Sequence, residues 1–153
     1  MIKKILVWLP AIFFLTTASL AEAQQAKKIP QIGLLTARNE KNLEAFRQGL
    51  RELGYVEGKN IVIEDRDLEG RTDRVLDLTG ELIRLNVDLF VTGSTLAAQT
   101  AKKFTATIPI VIVGTGDPVG TGLVASLARP GGNVTGLSGL APELSGKRVD
   151  LLK

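Results

Sequence analysis

Apolar runs recur along the chain at near-regular intervals: IGLL at residues 32–35, IVIE at 61–64, DLFVT at 88–92 and PIVIV at 109–113. Between them lie segments whose apolar residues fall three and four apart, which is the spacing of one helix face. Leu43, Phe46, Leu50 and Leu53 form the first such face, and Gly54 stands where a left-handed glycine would end the helix. A second helix starts near Thr72 and Asp73 and carries Val75, Leu78, Leu82 and Leu85; a third carries Ala97, Ala101 and Phe104. A glycine-rich loop then leads into a short helix expected around residues 123–128, and NVTGLS (133–138), set off by the turn ARPGG, reads as a fifth strand. The runs are apolar throughout instead of alternating, the pattern of strands covered on both faces. The expectation is an α/β fold: a doubly wound, parallel, five-stranded sheet in the flavodoxin-like order 2-1-3-4-5.

The first residues read as a leader and not as fold. Lys3 and Lys4 precede an apolar run from 5 to 15, and Ala21, Glu22 and Ala23 supply a small-residue cleavage site. That run is short for a bilayer crossing, which needs ~20 apolar residues, and Pro10 interrupts it. The division expected is a signal peptide at 1–23, the strand-helix units at 24–141, and at 142–153 the start of a helix that stops in mid-pattern and calls for a continuation. Pro142 and Glu143 suit a helix start, with Leu144, Leu151 and Leu152 for burial. A cleavable signal implies export to an extracytoplasmic location. The chain has no cysteine, so stability there must come from packing without disulfides. The formal net charge of +3 carries no basic stripe and argues against nucleic acid as a partner.

In an open parallel sheet, ligands bind outside the carboxyl ends of the strands. The residues placed there are small, hydroxylated or turn-forming: Thr36 after the first strand, Gly93, Ser94 and Thr95 after the third, and Gly116, Asp117 and Pro118 after the fourth. Ser94 stands at the N-cap of the following helix, whose free N–H groups favour a carboxylate or phosphate. Asp117 offers an acceptor for an ammonium, or else only shapes its Asp-Pro turn. Together these residues suit an amino-acid zwitterion. Asp65 and Asp67 read as a solvated strand end.

Enzyme readings fail on context. TGDPVGTG (115–122) matches a dehydrogenase cofactor loop but follows the fourth strand instead of the first, and YVEGK (55–59) matches a Tyr-Lys catalytic pair but lies in a glycine-bounded turn. The chain has no histidine, which removes the usual base for a serine nucleophile and the commonest metal ligand. No catalytic residue, cofactor or metal is expected.

Longer strings carry a resemblance: GYVEGKNIVIEDR (54–66), EGRTDR (69–74), GDPVGTGLVASLARPGGNVTGLS (116–138) and ELSGKRVDLLK (143–153). From Pro30 onward the chain resembles ABC-transporter substrate-binding proteins of the TrpX-like, tryptophan/tyrosine-binding type. That resemblance implies a type I periplasmic binding protein with two lobes closing over a ligand, of which this chain is the N-terminal one. It implies ligand contacts from Thr36, Ser94, Thr95, Asp117 and Pro118, an aromatic amino acid as ligand, and an inner-membrane permease as partner. The sequence departs from the usual pattern at Asp65, Asp67 and Leu68, where aromatic side chains are common. A non-enzymatic solute-binding role in import is therefore expected; the alternative is an extracytoplasmic sensory or effector-binding domain of the same fold.

Overall fold

The computed structural model describes residues 28–37 and 39–139; the leader, Arg38 and the helix expected from Pro142 lie outside them. Five parallel strands form one sheet: β1 (Gln31–Thr36), β2 (Val62–Asp67), β3 (Leu89–Thr92), β4 (Ile110–Thr115) and β5 (Val134–Ser138). Their order is β2-β1-β3-β4-β5, as the alternating pattern predicts. Three helices connect them: α1 (Glu40–Glu52), α2 (Val75–Arg84) after a short 3-10 turn at Thr72–Arg74, and α3 (Thr95–Phe104).

Each face of the sheet has its own core. On one, Ile32 and Leu34 of β1, Val91 of β3 and Ile61 pack with Leu43, Phe46 and Leu50 of α1. On the other, Leu35, Phe90, Ile110 and Ile112 meet α2 through Val75, Leu78 and Leu82, and α3 through Ala97, Ala98 and Ala101. The alanine face lets α3 lie close to the strands. Phe104 reaches the crossing with α2, where a Cβ on Gly80 would lie 3.5 Å from the Phe104 ring.

Several expectations are corrected. Leu53 is 75% exposed, because α1 ends at Glu52 and the chain turns away at Gly54, whose φ is +84°. Leu85 and Phe104, each at the last turn of its helix, are about half exposed. No helix forms at residues 123–128. Leu123 and Val124 are buried all the same, because their N–H groups both bond the Pro118 carbonyl and fold the segment into a turn against the core. The second strand runs on through Asp67, so Asp65 and Asp67 belong to the strand and do not follow it.

The sheet edge β2 is not uniformly apolar either. It reads VIEDRD and is half-buried along its whole length. Charged side chains on an edge strand oppose edge-to-edge pairing with other chains. Arg66 also binds β2 to α2, donating from Nε (2.9 Å) and Nη2 (2.7 Å) to Glu81. That hydrogen bond raises the guanidinium pKa above its ordinary value. At the amino end of the sheet Asp88 takes the N–H of Gln31 at 2.9 Å and pairs with Lys28. The Lys28 hydrogen bond, more than the backbone one, holds its carboxyl below the usual range.

Two glycines make opposite demands. Gly136 in β5 has φ +139°, and a Cβ there would sit 2.0 Å from the carbonyl oxygen of Ile112 on β4. Gly49 lies within α1 with open space where its Cβ would be. Gly136→Ala is expected to cost about 3 kcal/mol through steric and backbone strain. Gly49→Ala is expected to gain about 0.8 kcal/mol from helix propensity. Urea-denaturation midpoints check both; equal shifts would contradict the pairing of β5 with β4.

Candidate ligand cleft at the carboxyl edge of the sheet

The strand order reverses between β1 and β3. From β1 the chain leaves on the α1 face and crosses outward to β2; from β3 it leaves on the opposite face through α3 towards β4. Neighbouring loops departing in opposite directions open a crevice at that point. A cleft of about 330 Å³ lies there, at the low end of the ~300–1,000 Å³ usual for small-molecule sites.

The sheet supplies its floor. Leu34 of β1 pairs in register with Asp65 of β2 on one side and with Val91 of β3 on the other, and all three line the cleft. Leu43 and Phe46 of α1 form an apolar wall, and Val113 of β4, half exposed, flanks it.

Two helix N-termini meet at the rim. Asn39 caps α1, its Oδ1 accepting from the N–H groups of Lys41 (3.1 Å) and Asn42 (3.4 Å). Ser94 caps α3, its Oγ accepting from Ala97 N–H (3.3 Å), while its carbonyl accepts from Ala98 N–H. The N–H groups of Thr95 and Leu96 are left without a partner among the described residues. Both caps line the cleft, so the positive ends of both helix dipoles fall on one small space. A carboxylate is the group such a place favours. The close approach of strand ends explains Gly93: a Cβ there would lie 3.3 Å from the carbonyl oxygen of Val113.

Thr92 holds this corner in place from below. It is fully buried; its hydroxyl donates to the Leu35 carbonyl (2.7 Å) and accepts from Ser94 N–H (3.0 Å). One side chain thereby ties the end of β1 to the start of α3, the two elements on either side of the crevice.

The structure brings together Thr36, Gly93 and Ser94 as lining residues, with Thr95 in the adjoining first turn. Gly116, Asp117 and Pro118 lie in the loop after β4 and do not line this cleft. Asp117 shapes its own turn: Oδ1 accepts from Val119 N–H (3.1 Å) and Gly120 N–H (2.8 Å). The loop is also fastened from outside. Gln99 Nε2 donates to the Thr121 carbonyl, Lys102 Nζ to the Leu123 carbonyl at 2.9 Å, and Ser138 Oγ to that of Gly116.

Beyond the contacts expected from the sequence, Asn39, Asn42, Leu43, Phe46, Asp65 and Val113 also line the cleft. Asn39, standing just before the periodic run of α1, carries an N-cap signal that identifies the helix start. That Asp65 lines the floor follows only from the register of β2 against β1. Among the described residues, no group of three or more His, Cys, Asp or Glu is placed to hold a metal ion.

Residues 36–153 match the family model described as "ABC transporter substrate binding protein". A curated "Tyrosine-binding protein" of Clostridioides difficile (strain R20291) is 33% identical over 117 residues, covering 74% of this chain and 34% of the relative. Among solved structures, a conserved domain protein of Vibrio cholerae O1 biovar El Tor is 36% identical with a TM-score of 0.65, over 72% of this chain and 39% of that one. An ABC domain of Streptococcus pneumoniae in complex with L-Trp is 33% identical with a TM-score of 0.62, over 71% and 38%. A ligand-free, open substrate-binding protein with adhesive properties from Clostridium difficile is 32% identical with a TM-score of 0.66, over 72% and 39%. The chain thus spans about a third of the curated relative and under two fifths of each solved one.

Thr92→Val, which keeps the shape and removes both hydrogen bonds, is expected to cost about 1–3 kcal/mol, the penalty for stranding buried polar groups. Thr92→Ser retains the hydroxyl and is expected to lose less. Denaturation midpoints measure the two; a valine variant as stable as the parent would show that Thr92 does not hold the crevice together.

Proposed function

The chain belongs to the ABC transporter substrate-binding protein family, and on that premise we propose that it captures a free amino acid, with its cleft forming one wall of the site. One observation carries this reading: two capped helix N-termini, at Asn39 and Ser94, open beside an apolar wall in one cleft. An α-carboxylate suits the helix ends, and a large apolar side chain suits Leu43, Phe46 and Val91. The ligands named for the relatives, tyrosine and L-Trp, have both features. Thr36, Gly93, Ser94 and Thr95 are the proposed contacts on this wall. Gly116, Asp117 and Pro118 are proposed as contacts from the neighbouring loop at the same sheet edge.

Residues 24–141 form the N-terminal lobe of a bilobal binding protein, 1–23 direct it to the periplasm, and 142–153 begin the passage to a second lobe. Closure of that lobe over the ligand buries it and presents a surface to a membrane permease, so the protein serves import and not chemistry. Binding by a single wall is weak, since closure supplies the remaining contacts and excludes water.

Titration of the secreted chain with L-tryptophan and L-tyrosine, followed residue by residue through amide NMR shifts, tests this. The expected result is a dissociation constant of ~1 mM or weaker, the regime of only about 4 kcal/mol of binding energy. Shifts should be concentrated at Thr36 and at 93–96. Micromolar affinity would contradict the single-wall reading. Saturating amino acid with no shift at 93–96 would remove the amino-acid proposal.

A further inference from the structure

Between β4 and β5 the chain forms no helix, but residues 117–122 close a single helix-like turn. Asp117 opens it as a cap. Its Oδ1 takes the N–H groups of Val119 and Gly120, and its carbonyl takes that of Thr121. The carboxylate is seated so closely that a Cβ on Gly120 would collide with Oδ2. A lone turn leaves its last carbonyls without partners of its own, and one turn is too short to hold alone. Side chains of α3 supply what is missing. Gln99 Nε2 donates to the Thr121 carbonyl (3.1 Å), and Lys102 Nζ to those of Gly122 (3.3 Å) and Leu123 (2.9 Å). The Thr121 hydroxyl reaches back to the Asp117 carbonyl at 2.8 Å. Gln99 and Lys102 stand at i and i+3 of α3, so they share one face of the helix.

We propose that Gln99 and Lys102 are positioning residues of the ligand site: by holding this turn on α3 they set where Gly116, Asp117 and Pro118 stand relative to the helix start at Ser94. The inference rests on the amino-acid reading given above, in which both groups contribute contacts. Burial of Pro118, Leu123 and Val124 seats the loop on the core, but apolar burial is non-directional. The hydrogen bonds to successive carbonyls fix how the turn is rotated. Their donors belong to the helix that Ser94 caps, so both groups of contacts are carried by one rigid element. Lys103 separates this role from that of charge alone. It too lies in the last turn of α3, where the helix dipole favours a cation, but it makes none of these hydrogen bonds.

Amide-shift titration with L-tryptophan, on the chain and on variants of it, tests this. The parent should shift at 93–96 and also at Asp117, Val119 and Gly120. Gln99→Met and Lys102→Met in one chain remove the donors and keep the stems. That double variant should bind about fivefold more weakly, the scale of one or two exposed hydrogen bonds, and should lose the shifts at 117–120 while those at 93–96 persist. Without ligand, its Leu123 and Val124 amides, both bonded to the Pro118 carbonyl, should exchange with solvent faster than in the parent. Lys102→Arg, which keeps donors, and Lys103→Met, which removes a charge from the same helix turn, should both behave as the parent. A double variant with parental affinity and parental shifts at 117–120 would overturn the positioning role. Lys103→Met weakening binding as much as the double variant would overturn it in favour of charge alone. Parental shifts at 93–96 with none at 117–120 would overturn it too, and that observation needs no variant, so a poorly folding substitution leaves the test intact. Amino-acid capture stands in all three cases. Absence of shifts at 93–96 in the parent removes both proposals together.

Discussion

Everything at the ligand edge depends on one constraint, the right-handedness of strand-helix-strand crossovers. A parallel sheet that starts at a central strand, moves one way and then returns past it must place its connections on opposite faces. Here that reversal falls between β1 and β3, and it sends α1 and α3 away from each other. No side chain needs to hold the cleft open, because the backbone path does so. Thr92 fixes the corner by joining the Leu35 carbonyl to the Ser94 amide. The caps at Asn39 and Ser94 then aim two positive helix ends at the gap.

The fold was largely legible because its physics is local. Apolar runs gave β1, β3 and β4 to within one or two residues, and the three-and-four spacing gave α1, α2 and α3. Where the reading failed, non-local contacts had decided. Leu123 and Val124 have the composition of a helix turn, yet both amides are drawn to the Pro118 carbonyl and the segment folds back. Leu53 continues the apolar spacing of α1, but the chain has already turned at Gly54. The β2 strand looked finished at Glu64 because its next residues are charged. Pairing with β1 as far as Asp67 extends it, and Arg66 reaches α2 while Asp65 faces α1.

The site was legible in outline only. Residues beside the strand ends, Thr36, Gly93 and Ser94, could be placed from chain order, since strands in such a sheet all point the same way. Asp117 could not, because an aspartate before proline serves a turn as readily as a ligand, and its oxygen accepts from two amides of its own loop. Asp65 and Phe46 enter the cleft through register and helix rotation, which a single sequence does not disclose. The length of the relatives, more than twice that of this chain over the matched region, gives a reason for so open a cleft: the opposite wall is proposed to belong to a second lobe.

The central claim is that the two helix N-termini hold the ligand's carboxylate. Titrating the chain with L-tyrosine and with tyramine, which differs only in lacking that carboxylate, tests it most directly. The account predicts that tyramine binds at least about tenfold more weakly, as loss of a charge-assisted contact implies, and that the amide shifts of Thr95 and Leu96 seen with tyrosine disappear. Equal affinity for the two compounds, with the same shifts at Thr95 and Leu96, would contradict it.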